Sequence, residues 1–124
     1  MGVVAAGMFL ASCSSSGKPA VEAASASNVG GLATITIRTG PDRRFHPNTI
    51  TVHPGRVRLV LQNRVQHAAG EPHNLTFDTF RAGTLPLIRP GQQTSTTFTA
   101  PAPGRYQFVC TIHAGQTGVM VVTR

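Results

Sequence analysis

The stretch YQFVCTIHAGQTGVMVV, residues 106–122, joins two β-strand patterns through a short loop. Before the loop, large apolar residues alternate with other residues, and after it the chain returns to a run rich in valine. Alternation with a period of two is typical of a half-buried strand. The loop between the two strands spaces three residues with donor atoms at steps of three, Cys110, His113 and Gln116.

The same strand pattern recurs through most of the chain. Pro- and Gly-containing turns separate seven such segments: LATITIR (32–38), TITVH (49–53), VRLVLQ (57–62), HNLTFD (73–78), TSTTFTA (94–100), RYQFVC (105–110) and GVMVVT (118–123). We find no window of eleven or more residues with a convincing helical period. The sequence therefore predicts an all-β sandwich or barrel, with surface loops at 63–72 and 81–91 where a site could be built.

The first part of the chain differs in composition from the rest. Residues 1–13, MGVVAAGMFLASC, form an apolar run with small residues at its end, which is the pattern of a secretory signal. The ending Leu-Ala-Ser-Cys resembles the bacterial lipobox, in which the cysteine carries lipid. We therefore predict a signal peptide at 1–12 and a lipid anchor on Cys13. The protein would be exported and held at the outer face of the cytoplasmic membrane or in the cell envelope. Residues 13–31, rich in Ser, Ala and Gly, would be a flexible tether, and 32–124 the folded domain.

Charge and residue spacing exclude several functions. The formal net charge is +7, with eleven basic residues against four acidic ones. The carboxylates are separated by turns and offer no catalytic pair, and nothing in the sequence supports hydrolysis or group transfer. The arginines are scattered singly without a nucleic-acid-binding motif. We expect a monomer that docks on an acidic partner protein, with an association that weakens as salt rises.

If Cys13 carries lipid, Cys110 is the remaining thiol and no disulfide framework is available. Thiolate and imidazole suit soft or borderline metals, and two histidines with one cysteine and a weak axial donor are the blue-copper pattern. A second histidine must therefore come from elsewhere in the chain. His73, which follows Pro72 and begins a strand, is the favoured one, and His67 is its rival.

Three segments carry a resemblance to a known family. FHPNTITVHPG (45–55), EPHNLTF (71–77) and GQQTSTTFTAPAPGRYQFVCTIH (91–113) resemble, in order and spacing, segments of the cupredoxins, the plastocyanin, amicyanin and pseudoazurin group. The resemblance implies a Greek-key β-sandwich of about seven or eight strands. It implies copper, cycling between Cu(I) and Cu(II), in a trigonal plane of His73, Cys110 and His113. It also implies that Asn74 hydrogen-bonds near the thiolate and ties the ligand loops together, and that the outer edge of His113 is an open electron exit.

The axial position departs from the family pattern. Members similar to amicyanin carry a methionine three residues after the second histidine, where this chain has Gln116. Met120 is the alternative, although a methionine within a β run is more often core filler, and a site without a protein axial ligand is the third reading. An amide oxygen is a harder donor than a thioether, so an axial Gln116 would favour Cu(II) and lower the reduction potential.

These residues support two principal functions. The first is a blue-copper protein that carries single electrons between exported or membrane-associated redox partners, and it is not an enzyme. The alternative is a module that binds and delivers copper without redox turnover. A cupredoxin fold that has lost its copper is a third interpretation, against which the retained Cys110 and His113 speak.

Overall fold

A computed structural model describes residues 20–64 and 70–124. In these ranges the chain forms eleven strands and one turn of 3₁₀-helix, Arg81–Gly83. The strands are β1 (Ala23–Ser25), β2 (Ser27–Val29), β3 (Leu32–Thr39), β4 (Phe45–His46), β5 (Thr49–Val52), β6 (Arg56–Asn63), β7 (His73–Phe77), β8 (Leu85–Ile88), β9 (Gln93–Thr99), β10 (Gly104–Val109) and β11 (Thr117–Val122). The predicted signal peptide, Cys13 and His67 lie outside the described residues.

The strands form two sheets. The first has the order β1-β5-β11-β10-β7-β8, and the second has the order β2-β3-β6-β9, with β4 paired to β3. The prediction of an all-β sandwich is confirmed, and all seven predicted strands are present. The four additional strands, β1, β2, β4 and β8, have two to four residues each. Such lengths are too short to show a period, and β8 also contains a proline, which its place at the sheet edge tolerates.

The core lies between the two sheets. Phe108 of β10 is fully buried, and its ring meets Phe45 at a centroid distance of 5.2 Å and Phe77 at 5.5 Å, both edge to face. The aliphatic part of the core comes from alternate residues of the long strands, among them Ile35, Ile37, Ile50, Val57, Leu59, Leu61, Leu75 and Met120. This alternation is the one that the sequence shows, because side chains of a strand point to opposite faces in turn.

The predicted tether is wrong over residues 23–29. β1 pairs in parallel with β5, and β2 pairs antiparallel with β3, so the sheets begin before residue 32. These segments consist mostly of Ala and Ser, which carry little apolar signal, yet their backbones hydrogen-bond and Ala24 and Ala26 pack against the core.

No helix in the described part of the chain is long and apolar enough to cross a membrane.

His46 joins the start of the domain to the loop before β4. Its Nδ1 lies 2.5 Å from a Glu22 carboxylate oxygen and its Nε2 lies 2.5 Å from an Asp42 carboxylate oxygen. Burial lowers the pKa of His46, but the hydrogen bonds to Asp42 and Glu22 outweigh it and raise the pKa above its ordinary value. Protonated His46 binds both carboxylates and so holds Glu22 at the edge of the first sheet.

This contact predicts a pH dependence of stability. A group whose folded-state pKa is raised stabilises the fold fully below its unfolded pKa of about 6.5, and this stabilisation is lost as pH rises through the folded pKa. We expect His46→Asn to lower the melting temperature more at about pH 5.5 than at about pH 8.5. Thermal unfolding followed by circular dichroism checks this, with His53→Asn as the control. An equal loss at both pH values would contradict the assignment.

Candidate metal centre

The predicted ligands come together because their strands are neighbours. His73 is the first residue of β7, Cys110 directly follows β10, and residues 111–116 form the loop from there to β11. β10 pairs antiparallel with both β7 and β11, so the end of β10, the start of β7 and the start of β11 meet at one end of the first sheet. This pairing therefore places Cys110 and His113, which are close in sequence, and the distant His73 around one point.

Three of the residues converge closely enough to hold one metal ion. His73, Cys110 and His113 each offer one ligand atom, and these atoms all lie within 4.8 Å of one another. Cys110 Sγ lies 3.5 Å from His113 Nδ1, and the two imidazole rings are 4.6 Å apart between centroids. His73 is fully buried and Cys110 is 4% exposed, so the cluster is largely shielded from water.

The segments that carry these ligands are tied together. Asn74 donates from Nδ2 to Thr111 Oγ1 at 2.8 Å and accepts from the Thr111 backbone N–H at 2.9 Å. Within the loop, the Cys110 N–H donates to the Gln116 carbonyl at 2.9 Å. The structure thus places Asn74 in contact with the residue after Cys110, and these bonds restrict movement of the ligand loop.

Gln116 is buried beside His73, with only 1% of its surface exposed. Its Nε2 donates to Thr39 Oγ1 at 2.7 Å, and its Oε1 lies 3.0 Å from His73 Nδ1. Because Thr39 occupies the amide nitrogen, the amide oxygen is the Gln116 atom turned toward the His73 ring. Thr39 is the last residue of β3, in the other sheet, and the sequence analysis did not identify it.

Met120, the alternative axial residue, lies in a different environment. It is fully buried within β11, belongs to the hydrophobic core and is paired with Ile50 of β5. Its position is that of a core-filling methionine. The structure therefore brings Gln116 into hydrogen-bond contact with His73, whereas it places Met120 in the hydrophobic core.

The burial of His73 favours the neutral imidazole that a metal requires. Burial lowers its pKa below the ordinary value, because desolvation disfavours the imidazolium, and the hydrogen bond with Gln116 only partly opposes this. Its Nε2 is buried and has no hydrogen-bond partner among the described residues. A neutral imidazole has a free lone pair and is the form of histidine that binds metals.

The outer edge of His113 is not open, contrary to the prediction. His113 Nε2 lies 2.8 Å from a Glu71 carboxylate oxygen, and the His113 side chain is 8% exposed. Arg43 holds the same carboxylate, and this guanidinium, by hydrogen bond and charge, lowers the pKa of Glu71. The sequence does not indicate this contact, because Arg43 and Glu71 are 28 positions apart. The position of Glu71, two residues before the predicted ligand His73, was the one feature of the sequence that could have indicated its place beside the site.

The donor set fits copper. One cysteine sulfur with two imidazole nitrogens is the trigonal donor set of type 1 blue-copper sites. The convergence of the three ligand atoms and the burial of His73, which lowers its pKa, agree with that combination. The fold is that of a copper-binding β-sandwich, and the cluster of His73, Cys110 and His113 fits type 1 copper.

Comparisons with known proteins agree with this class. The family model of the cupredoxin-like domain matches residues 2–122. The chain is 32% identical to plastocyanin from Nostoc punctiforme over 106 residues, which covers 73% of each protein. The chain belongs to the cupredoxin family.

Solved structures show the same fold. Reduced auracyanin from Roseiflexus castenholzii superimposes with a TM-score of 0.64 at 24% identity, covering 73% of this chain and 97% of auracyanin. The metal-binding domain of the Cu(I)-exporting P-type ATPase CopA from Streptococcus pneumoniae D39 gives a TM-score of 0.68 at 20% identity, covering 86% and 100%.

Proposed function

We propose that this cupredoxin carries single electrons through one copper ion bound by His73, Cys110 and His113, and that it is not an enzyme. The observation that supports this most is the convergence of one sulfur and two nitrogen ligands in a largely buried cluster. Copper bound there would alternate between Cu(I) and Cu(II). The Asn74–Thr111 bonds and the paired strands on either side limit ligand movement, which keeps the cost of changing oxidation state small.

Metal loading and redox cycling test this function. Metal-free protein titrated with Cu(II) should turn blue at one equivalent, bleach on reduction and regain its colour on reoxidation over repeated cycles. Tight Cu(I) binding without colour in the oxidised state would favour the delivery module. The similarity to the CopA domain does not favour delivery, because at 20% identity it shows the fold alone. Absence of copper binding would contradict both functions.

Gln116 is proposed as the axial donor. Its amide nitrogen is held by Thr39 and its oxygen points toward His73, so the harder atom faces the site. We expect Gln116→Met to raise the reduction potential, because a thioether favours Cu(I) whereas an amide oxygen favours Cu(II). Redox titration of the loaded protein measures the change.

Met120→Leu is the matched control for that titration. This volume-conserving core substitution should leave the potential unchanged and cost less than about 1.5 kcal/mol of stability. A potential that does not rise in Gln116→Met, or that moves in Met120→Leu, would contradict the axial assignment of Gln116.

The location and the partner are also proposals. We propose an exported protein anchored through lipid on Cys13, a residue outside the described ranges, that serves redox proteins near the membrane. The net charge of +7 supports an acidic docking partner. Metabolic labelling with a fatty acid, compared between the native chain and Cys13→Ala, tests the anchor, and equal labelling of both would contradict it.

A further inference from the structure

The carboxylate of Glu71 meets the ligand His113 on the side away from Cys110. A Glu71 carboxylate oxygen lies 2.8 Å from His113 Nε2. The other ring nitrogen, His113 Nδ1, lies 3.5 Å from Cys110 Sγ. A neutral imidazole carries one N–H, and the hydrogen bond made by one nitrogen decides which nitrogen keeps the lone pair. A proton on Nε2, directed at Glu71, therefore leaves Nδ1 free to bind a metal.

The Glu71 side chain is itself fixed by Arg43. The guanidinium donates from Nε to Oε2 at 2.7 Å and from a terminal nitrogen to Oε1 at 2.5 Å, which is a bidentate pair. Arg43 has a φ of 55°, and it is the non-glycine residue with positive φ in the described ranges. A residue with a Cβ is strained in that region, so the surrounding structure must stabilise this backbone conformation of Arg43.

The backbone of Glu71 is fixed from the other side. Asn63, which is 3% exposed, donates from Nδ2 to the Glu71 carbonyl at 2.8 Å and to the Ile88 carbonyl at 3.0 Å. The preceding Gly70 lies so close to Pro90 that an added Cβ would come within 2.2 Å of the proline ring. Glu71 is therefore held through both its main chain and its carboxylate, unlike an ordinary surface glutamate.

We propose that Glu71, supported by Arg43, is a positioning residue for the copper ligand His113. It fixes the tautomer with Nε2–H and the ring orientation, and it makes Nδ1 a stronger donor. Partners of this kind orient metal-bound histidines, and their loss typically weakens metal binding about 10–100-fold. This inference rests on the proposed copper function. It adds that the Glu71–Arg43 pair orients the His113 ring before a metal binds.

Four variants test the proposal. Glu71→Leu removes the hydrogen-bond acceptor, whereas Glu71→Gln removes the charge and keeps an acceptor oxygen. Arg43→Gln releases Glu71 from its support, and Asp78→Asn, at an exposed residue after β7, is the control for loss of a carboxylate. If Glu71 or Arg43 had only a structural role, its replacement would change the melting temperature and not the His113 tautomer. The amide NMR spectrum of each variant is therefore recorded first, to show that the variant is folded.

The first measurement uses the metal-free protein and so does not depend on copper. Heteronuclear NMR of the His113 ring nitrogens should show the Nε2–H tautomer in the native chain, in Glu71→Gln and in Asp78→Asn. It should show a mixture of tautomers in Glu71→Leu and a partial shift in Arg43→Gln. An unchanged tautomer in Glu71→Leu would overturn the proposal.

The second measurement is Cu(II) affinity by competition with a chelator. We expect a loss of about tenfold or more in Glu71→Leu and a smaller loss in Glu71→Gln. Equal losses in these two variants would overturn the proposal, because charge alone would then explain the effect. If the native chain binds no copper, the proposed function fails, and the tautomer measurement still decides whether Glu71 positions His113.

Discussion

Cys110→Ser is expected to abolish the blue colour and to reduce copper affinity by more than about 100-fold. Loss of an outer partner of a ligand already costs about 10–100-fold, and a direct thiolate ligand contributes more. The blue absorption arises from charge transfer between thiolate and copper, so no other donor in the cluster replaces it. Visible absorption and chelator competition on the loaded variant measure both effects.

The serine variant should still fold, because it keeps the size of the side chain and leaves the backbone bond from Cys110 N–H to the Gln116 carbonyl in place. Thr111→Ser, one position later, is the matched control, since it retains the hydroxyl that Asn74 contacts. It should keep the colour. A blue Cys110→Ser protein would contradict the assignment of Cys110 as a ligand.

Phe108→Ala is expected to lower the free energy of unfolding by about 3–5 kcal/mol, which is the usual cost of deleting a buried phenylalanine. The ring is fully buried between Phe45 and Phe77. It also lies against Gly118, where an added Cβ would come within 2.3 Å of ring atoms. Small domains are stable by only about 5–15 kcal/mol, so this loss is a large part of the total.

Chemical denaturation of the metal-free protein measures that loss without a contribution from bound copper. Leu87→Ala is the control, since Leu87 is 51% exposed and its replacement should change stability by no more than about 0.5 kcal/mol. A cost below about 1 kcal/mol in Phe108→Ala would mean that the ring does not fill the core between the sheets.

The sequence was most informative where a period or a spacing is local. Alternating residues identified seven strands, because burial of one face repeats every two residues. The steps from Cys110 to His113 and Gln116 identified the loop of the candidate site, since all three lie within seven residues. His73 was located through its place at the start of a strand, and it lies beside this loop because β7 and β10 pair.

The remaining features depend on contacts between distant segments. Thr39 meets Gln116 across the two sheets, 77 positions apart, and nothing in the neighbourhood of either residue indicates the other. Arg43 and Glu71 likewise come from separate loops. β1 and β2 were missed for a different reason, because Ala and Ser carry no strong strand signal and their pairing depends on the edges that β5 and β3 offer.

The proposed function requires one copper ion bound by the sulfur of Cys110 and the imidazoles of His73 and His113. X-ray absorption at the copper edge of the Cu(II)-loaded native chain tests it most directly. We expect one sulfur and two imidazole nitrogens as the near neighbours of copper. A spectrum with only nitrogen and oxygen neighbours would contradict it.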